Sequence, residues 1–186
     1  GHHLMDLPLL GDALERIDVC YGGASRTFGA GAFSGAVNLI TRRPAGKGGS
    51  LTVDGGEYGS WRVRGMQEWI HHGLGMRVTA FHGRSDGPVA NSDQTQRGAH
   101  LSAGKQWQRI ELRGQAGWSD KRFGAQNFYS SLYPDQQEYT RTLLAALELK
   151  HRGLWSWSVR TYFRQHHDRF ELFREGDGYY RFSNGY

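Results

Sequence analysis

The chain of 186 residues has little of several residue types that would point to a function class. It has one cysteine, Cys20, which excludes an intramolecular disulfide, and we expect this thiol to be buried as a small hydrophobe in an apolar strand. No run approaches the roughly 18 consecutive apolar residues of a membrane-spanning helix, and the mean hydropathy is −0.65. These absences exclude a helical membrane protein. They leave open a transmembrane β-barrel, because its apolar and polar strand positions average to a polar score.

The sequence also lacks any arrangement of residues typical of a catalytic site, so we predict neither an enzyme nor a cofactor. Nine histidines invite a metal interpretation, and they include the adjacent pairs His71-His72 and His166-His167. Successive strand residues point to opposite faces, so neither pair can readily chelate one ion. We therefore predict no metal site.

Glycine and aromatic side chains are abundant, with 27 glycines and 13% aromatic residues. Both are typical of β-barrels with aromatic girdles. The net charge is +5 and the pI is about 9.5, which raises the alternative of a nucleic-acid-binding domain. The basic residues are spread along the chain, so a solvated barrel interior and rim account for them equally well.

Residues 14–44 combine two short strands with a glycine-rich turn. Residues 14–19 alternate in polarity and predict a half-buried strand, and residues 36–41 predict a second strand that ends before Pro44. Five glycines lie at positions 22 to 35 between them. The stretch Gly29-Ala30-Gly31 lacks the further glycine and the Lys-Ser/Thr pair of a nucleotide loop, so phosphate binding is not predicted there.

This stretch, LERIDVCYGGASRTFGAGAFSGAVNLITRRP, resembles the end of the plug domain of TonB-dependent outer-membrane receptors. The family phrase typically starts with a Glu-Arg-Ile strand and ends in Gly-Ala/Val-Ile/Val-Asn followed by two apolar residues and Thr. Its parts are found here at 15–19, 23–25, 28–29 and 32–41. Cys20 and Tyr21-Gly22-Gly23 depart from the usual Leu and Arg-Gly-Pro, and both changes keep a turn after the strand.

The resemblance implies an all-β chain with the C-terminal part of a mixed plug domain at 1–46. The N-terminal part of a transmembrane β-barrel would follow at 47–186, with about seven or eight antiparallel strands of a larger barrel. The segment 163–172 is similar to cobalamin-receptor-like members of the family from Bacteroidetes.

The function that the resemblance implies is import across the bacterial outer membrane. Such a receptor binds a scarce substrate, for example a siderophore, haem or cobalamin, and releases it into the periplasm. The implied partners are outer-membrane lipid, a metal-chelate or corrinoid substrate, and the TonB energy-transducing complex, through a Ton box expected outside the present chain. Nucleic acid is not among them.

From residue 49 onward, apolar and polar residues alternate over segments longer than an ordinary soluble strand. In 109–119, Ile110, Leu112 and Trp118 share a face opposite Glu111 and Arg113. That segment spans ~36 Å, or ~27 Å when tilted by ~40°, which matches the apolar band of an outer-membrane barrel. The other predicted strands are 50–56, 60–70, 76–85, 98–107, 138–150 and 154–165, with a last one beginning near 170–173.

Predicted connections between these strands alternate in length. They are short at 71–75, 106–108 and 151–153, and long at 86–97 and 120–137. Outer-membrane barrels show this alternation, with short periplasmic turns and long external loops. The first connection, near 55–59, is short and breaks the rule.

One charged residue, Arg141, falls on the apolar face of its predicted strand. A charge there costs ~2–4 kcal/mol at the bilayer midplane and almost nothing at the interface. Because Arg141 lies near the strand start, beside Tyr139, we expect an interfacial position.

The loop 120–137 is the best candidate for substrate binding in the barrel part, because its aromatic side chains combine apolar faces with polar handles. We predict substrate contacts from Asn127, Phe128, Tyr129 and Tyr133. An ordered loop that packs on itself is the alternative. The resemblance adds His2 and His3, since the corresponding plug loop of such receptors lies under the substrate.

Three arginines are predicted to contact the barrel wall from the plug. Charge placement suggests that Arg26, Arg42 and Arg43 meet acidic wall groups such as Glu68 or Glu111.

Two other functions stay open at this point. Eight strands could close into a small outer-membrane barrel with a structural or adhesive role. A soluble basic β domain that binds nucleic acid is the other, and it would show salt-sensitive binding.

Overall fold

A computed structural model of the chain describes residues 6–23, 25–29, 31–128, 130–174 and 181–185. The protein is all-β, with 64% strand and 4% helix, which confirms the predicted fold class at that level. It divides into two compact units, one of residues 9–43 and the other of the described residues before 9 and after 43. Within the described ranges, no helix has the length and apolar character needed to cross a membrane.

The smaller unit is a two-stranded antiparallel ribbon with two short helical turns. Its elements are a 3-10 turn Gly11–Ala13, β1 Leu14–Tyr21, α1 Ser25–Phe28 and β2 Gly35–Thr41. Both strands are confirmed, and β2 ends before Pro44 as predicted. Helix α1 was not predicted, because a single turn is too short to show a 3.6-residue period. Gly29 ends it with φ of 92°, and its N–H donates to the Ser25 carbonyl at 3.0 Å.

The expected burial of Cys20 is wrong, since the thiol residue in β1 is half-buried. A two-stranded ribbon has no second layer of its own with which to cover a side chain.

The larger unit is an antiparallel meander in which each strand pairs with the next along the chain. Its eight strands are β3 Gly48–Gly55, β4 Trp61–His71, β5 Leu74–Ser85, β6 Gln94–Trp107, β7 Ile110–Gly124, β8 Gln137–His151, β9 Trp157–Glu171 and β10 Arg181–Gly185. Strands β3 to β9 confirm that strands exist at the predicted segments. The predicted bounds of the loops 86–97 and 120–137 are wrong, because β6 and β7 extend further and leave connections at 86–93 and 125–136. The prediction of a strand that begins near 170–173 is wrong. Residues 170–171 are the end of β9, residues 172–173 follow it, and the next strand starts at 181.

The connections between strands lie alternately at two ends of the sheet. Those at 86–93 and 125–136 are longer than those at 72–73 and 108–109, as predicted, and 56–60 is no longer than 152–156, so the first connection breaks the rule as predicted. At the turn end, β4–β5 and β6–β7 are joined by 72–73 and 108–109, and β8–β9 by 152–156. Positive φ angles of 47° at His72 and 77° at Gly73 give the first turn the twist that short hairpins favour. At the opposite end, the loop end, the connections are 56–60, 86–93 and 125–136, together with the one that follows β9.

The two faces of the larger sheet have the reverse of the usual burial. One face, here called the polar face, carries most of the buried side chains, and they are polar: Glu68, Thr79, His100, Ser102, Glu111, Glu138, Thr140, Thr142, His166 and Asp168. The other, the apolar face, exposes large hydrophobic side chains: Leu51, Val53, Leu101, Leu143, Leu147, Val159 and Phe163. Across all described residues, the buried apolar side chains are three alanines and Pro8. The sheet is therefore apolar on its exposed face and polar on its covered face.

Candidate functional site

The loop 125–136 is closed at its base and tied to the neighbouring loop 86–93. The Ala125 N–H donates to the Gln136 carbonyl at 2.8 Å. Asn91 donates through Nδ2 to the carbonyls of Pro134 and Gln136, both at 2.7 Å. Because Gln136 is also almost completely buried, the two loops form one ordered surface at the loop end.

Arg174, just after β9, adds a third connection to this surface. Its Nη2 donates to Asp93 Oδ2 at 2.8 Å, and its Nη1 donates to Asn91 Oδ1 at 3.0 Å. These hydrogen bonds and the charge of Arg174 hold the pKa of Asp93 below its ordinary value of 3.8. We call Asn91, Asp93 and Arg174 the loop clamp. The sequence gives no signal for it, since Arg174 is 83 positions from Asn91 and 81 from Asp93.

Two of the predicted substrate-contact residues present aromatic rings at the loop end. Phe128 is 60% exposed, and its ring packs edge-on against Phe123 with centroids 6.5 Å apart. Tyr133 is 39% exposed and packs in the same way against Phe173 at 5.8 Å. Each ring is therefore anchored on one side and open on the other, which suits contact with a large apolar ligand.

The other predicted contact residues divide into two groups. Asn127 is exposed in a turn, with φ of 57°, so its local role is to reverse the chain before Phe128. Tyr129, His2 and His3 lie outside the described residues. Their contact with substrate stays a prediction, as it does for Asn127, Phe128 and Tyr133.

A polar pocket of about 500 Å³ opens at the loop end between β3 and β6. Its lining includes Asp54, Arg62, Arg64, Gln94 and Gln96. Arg64 pairs with Asp54 at 3.2 Å. The arginines and amides offer several hydrogen-bond donors, so the pocket suits an oxygen-rich or anionic ligand.

Three carboxylates on the polar face are matched with basic groups. Glu68 accepts from Arg77 Nε at 2.7 Å, and Glu111 Oε2 accepts from Arg152 Nη2 at 3.0 Å. Further along the sheet, Glu148 Oε1 accepts from Arg160 Nη2 at 2.7 Å. These pairs neutralise charge on a covered face, where an unpaired charge would be costly.

The chain segment 6–8 lies across the polar face at β7 and β8. Asp6 Oδ2 accepts from Thr140 Oγ1 at 3.3 Å and lies 3.6 Å from Lys121 Nζ. Pro8 is fully buried, and a Cβ added at Gly117 would come within 2.9 Å of its Cγ. Only a glycine at 117 lets the segment approach this closely. The sequence did not predict this contact, because the partners are more than a hundred residues apart.

The three arginines that were predicted to join plug and wall all lie in the smaller unit. Arg42 Nε donates to the Leu14 carbonyl at 2.9 Å, within the smaller unit, and Arg26 is in α1. In the larger unit, Glu68 accepts from the backbone N–H groups of Ala45 and Gly46, both at 2.7 Å. Contact of Arg26, Arg42 or Arg43 with Glu68 or Glu111 stays a prediction.

The pair His166-His167 behaves as the strand geometry predicts, and the pair His71-His72 does not. The rings of His71 and His72 meet edge-on with centroids 4.1 Å apart, because His72 lies in the turn after β4 and not in the strand. His166 is buried and shares a 2.8 Å hydrogen bond with Thr142, while the next residue, His167, is exposed. Among the residues that the structure describes, no group of three His, Cys, Asp or Glu side chains could hold a metal ion.

Comparison with protein-family models finds no match to this chain. Comparison with curated proteins finds none either.

Proposed function

We propose that the larger sheet is part of the wall of a transmembrane β-barrel, in a receptor of the TonB-dependent outer-membrane type. The observation that carries this proposal is the reversed burial of the sheet. In water, a sheet with one wet face covers its apolar side and exposes its polar side. In a membrane barrel the apolar side faces lipid and the polar side faces the interior.

The distribution of aromatic side chains supports the same environment. On the apolar face, Trp69, Trp107 and Trp157 lie towards the turn end. Trp61, Trp118 and Tyr139 lie towards the loop end. Tryptophan and tyrosine favour both membrane–water interfaces, because their rings are apolar and their N–H or O–H groups are polar.

The height of the apolar face also fits a bilayer. On β7, the positions from Ile110 to Asp120 are all within one strand, and they span ~33 Å, or ~25 Å at a tilt of ~40°. Asp120 and its cross-strand partner Arg141 form an ion pair of 2.9 Å just beyond Trp118. In a bilayer this pair would give Arg141 the interfacial position expected of it, and the apolar band would end there.

In this proposal the smaller unit, residues 9–43, is the end of the plug, because it carries the resemblance described above. Substrate would bind from outside at the loop end, through Phe128, Tyr133 and the polar pocket. Release into the periplasm would be driven by the TonB complex and not by chemistry on the substrate. The substrate classes are a siderophore, haem or a corrinoid.

The membrane environment can be tested with lipids that carry bromine on their acyl chains. We expect the chain to require detergent for extraction and its tryptophan fluorescence to be quenched in bilayers of brominated lipid. A chain that stays soluble and monomeric without detergent would contradict the proposal. Salt-sensitive binding of an oligonucleotide by that soluble form would favour the nucleic-acid-binding alternative.

The receptor role needs a separate test with ligands. In detergent, we expect the chain to bind one of a ferric siderophore, haem or cobalamin, and Tyr133→Ala to weaken binding by roughly tenfold, since hot-spot aromatic side chains contribute 1–2 kcal/mol or more. Tyr162→Ala is a matched control, because this exposed tyrosine is on β9, away from the loop surface. Insertion into bilayers with no binding of any of these ligands would favour a barrel with a structural or adhesive role.

A further inference from the structure

Two neighbouring rows of side chains cross the apolar face just beyond Trp118, towards the loop end. The strand register sets the first row as His82, Arg97, Asp120, Arg141 and His167 on β5 to β9. The second row, one step further out, is Arg84, Thr95, Arg122, Tyr139 and Arg169. We call these two rows the basic belt. Its five arginines lie on five adjacent strands, although the sequence spreads them over 86 positions.

Within the basic belt, guanidinium groups outnumber the carboxylates that they contact. Arg97 and Arg141 share Asp120, with N–O distances of 3.5 and 2.9 Å. At the margins, Arg84 lies 3.0 Å from Asp86 and Arg169 lies 3.4 Å from Glu171. Among the residues that the structure describes, these five arginines contact three carboxylates. The side chains of Arg84, Arg97 and Arg141 are each more than half exposed, so N–H groups face outward.

Aromatic rings hold these guanidinium groups in place. Arg97 lies over Trp118 at 5.6 Å, and Arg122 and Arg169 lie over Tyr139 at 5.3 and 4.1 Å. Such contacts restrict the long side chains and leave their N–H donors available. A planar guanidinium group that is already oriented is well suited to bind phosphate through paired hydrogen bonds.

The turn end of the apolar face has a different composition. Its outermost side chains include Lys105, which lies over Trp107 at 5.3 Å, and the rings of His71 and His151. Among the described strand residues of this face, the arginines are confined to the loop end. The arginines of this face are therefore on one side of the apolar band, and Lys105 is on the other side.

We propose that the basic belt binds the phosphate-bearing headgroup of a membrane lipid in the leaflet on the loop side. The inference rests on the membrane environment proposed above. A lipid combines an anionic head with acyl chains, and the face provides both matching surfaces in continuous register. The row directly below the belt contains Ala80, Ala99, Trp118, Leu143 and one polar residue, Gln165. The next row is apolar on all five strands, with Val78, Leu101, Ala116, Ala145 and Phe163.

The test is competition between lipids on the full chain in detergent, measured by native mass spectrometry. Phosphatidylglycerol and phosphatidylcholine with identical acyl chains are offered in equal amounts. We expect phosphatidylglycerol to be retained in preference. The charge-reduced variant Arg97→Gln/Asp120→Asn/Arg141→Gln should lower that preference roughly fivefold or more, because each basic side chain near an anionic surface contributes ~1 kcal/mol.

Two further variants distinguish an effect of the basic belt from an effect of total charge or of misfolding. Lys105→Gln removes a cation from the same face at the turn end and should leave the preference unchanged. Arg122→Gln/Arg169→Gln leaves the Asp120 cluster intact and should lower the preference independently of the first variant.

Several outcomes would overturn the inference. One is equal retention of both lipids by the unchanged chain. Another is that Lys105→Gln lowers the preference for phosphatidylglycerol as much as the belt variants do. Inorganic phosphate that displaces lipid more than chloride of equal ionic strength would indicate a site for free phosphate. Displacement by a short oligonucleotide would indicate a nucleic-acid surface. If brominated lipids quench the chain but no headgroup preference is seen, only this inference fails and the membrane proposal stands.

Discussion

Glu68 on β4 shows how one carboxylate connects separate parts of the larger unit. It is only 8% exposed and accepts hydrogen bonds from the N–H groups of Ala45 and Gly46 and from Arg77, all at 2.7 Å. The residues before β3 are thus held to the neighbouring strands. Hydrogen bonds to a charged, covered group contribute more than those between neutral groups.

We predict that Glu68→Ala lowers the free energy of unfolding by ~3 kcal/mol, because it leaves a covered arginine and two N–H groups without their carboxylate. The matched control is Asp54→Ala, which removes the exposed partner of Arg64 and should cost ~1 kcal/mol or less. Urea unfolding of both variants in the same bilayers measures the difference. Equal losses would contradict this account of Glu68.

Gly117 illustrates a second kind of residue-level constraint, which is space. A Cβ there would lie 2.9 Å from both Pro8 Cγ and the Pro8 carbonyl oxygen. At Gly114, on the same strand, the nearest atom is Leu147 Cδ1 at 3.6 Å, which is an ordinary contact.

We therefore predict that Gly117→Ala displaces segment 6–8 and costs ~1–3 kcal/mol, as overpacking usually does. Gly114→Ala should be close to neutral. Hydrogen exchange at Asp6 and Leu7, with global unfolding as the second readout, distinguishes local release from general destabilisation. Unchanged protection at these residues in Gly117→Ala would show that the contact is not tight.

At the scale of elements, the strands of the larger sheet alternate between two environments with a period of two. On β8, Ala145 pairs with Ala116 and Phe163 on the apolar face. The next residue, Ala146, pairs with Gln115 and Tyr162 on the polar face. Ala145 and Ala146 are therefore adjacent residues of equal size on opposite faces of the sheet.

We predict that Ala145→Arg costs ~2–4 kcal/mol in a bilayer, because it places a charge at the middle of the apolar band. Ala146→Arg should cost clearly less, since its side chain points towards polar neighbours. Folding yield and urea midpoint in lipid vesicles measure both. A larger cost for Ala146→Arg would mean that the exposed face is not in contact with lipid.

At the scale of the whole molecule, the loop clamp joins connections that lie far apart in the chain. Asn91 and Asp93 precede β6, the carbonyls of Pro134 and Gln136 precede β8, and Arg174 follows β9. If substrate binds at the loop end, the clamp sets the shape of the surface that receives it.

The clamp should depend on pH in one direction only. Since Arg174 lowers the pKa of Asp93 in the folded protein, its contribution to stability is present above about 3.8 and is lost as pH falls through the lower folded value. We expect hydrogen exchange in 125–136 to be constant from pH 7 to pH 5, after correction for the intrinsic rate, and to speed up in more acidic solution.

The variant Asp93→Asn should speed exchange in the same loop already at pH 7, and its profile should be flat in acid. Asp54→Asn is the control, because Asp54 is an exposed acid at the same end of the sheet with no contact to the clamp. A pH profile of Asp93→Asn that matches the unchanged protein would assign the acid effect to another group.

Part of this structure is predictable from the chain because it depends on near neighbours. Ile110, Leu112 and Trp118 were assigned to one face of a strand from alternation alone. The same pattern located β4 to β9, but it made several of them too short, as for β7, which was predicted at 109–119 and covers 110–124. The short turns at 72–73 and 108–109 were found in the same way. Local pattern carries this information because strand side chains alternate whatever the rest of the molecule does.

The remaining features depend on residues that meet only when the strands pair. The basic belt needs the register of β5 to β9, the contact of Pro8 with Gly117 needs the chain to return across the sheet, and Asn91 reaches carbonyls 43 and 45 positions away. The sequence by itself determined an all-β chain, its alternating faces and its resemblance to a receptor family. Only the tertiary structure decided that the polar face is the covered one, because alternation says that two faces differ but not which of them the fold encloses.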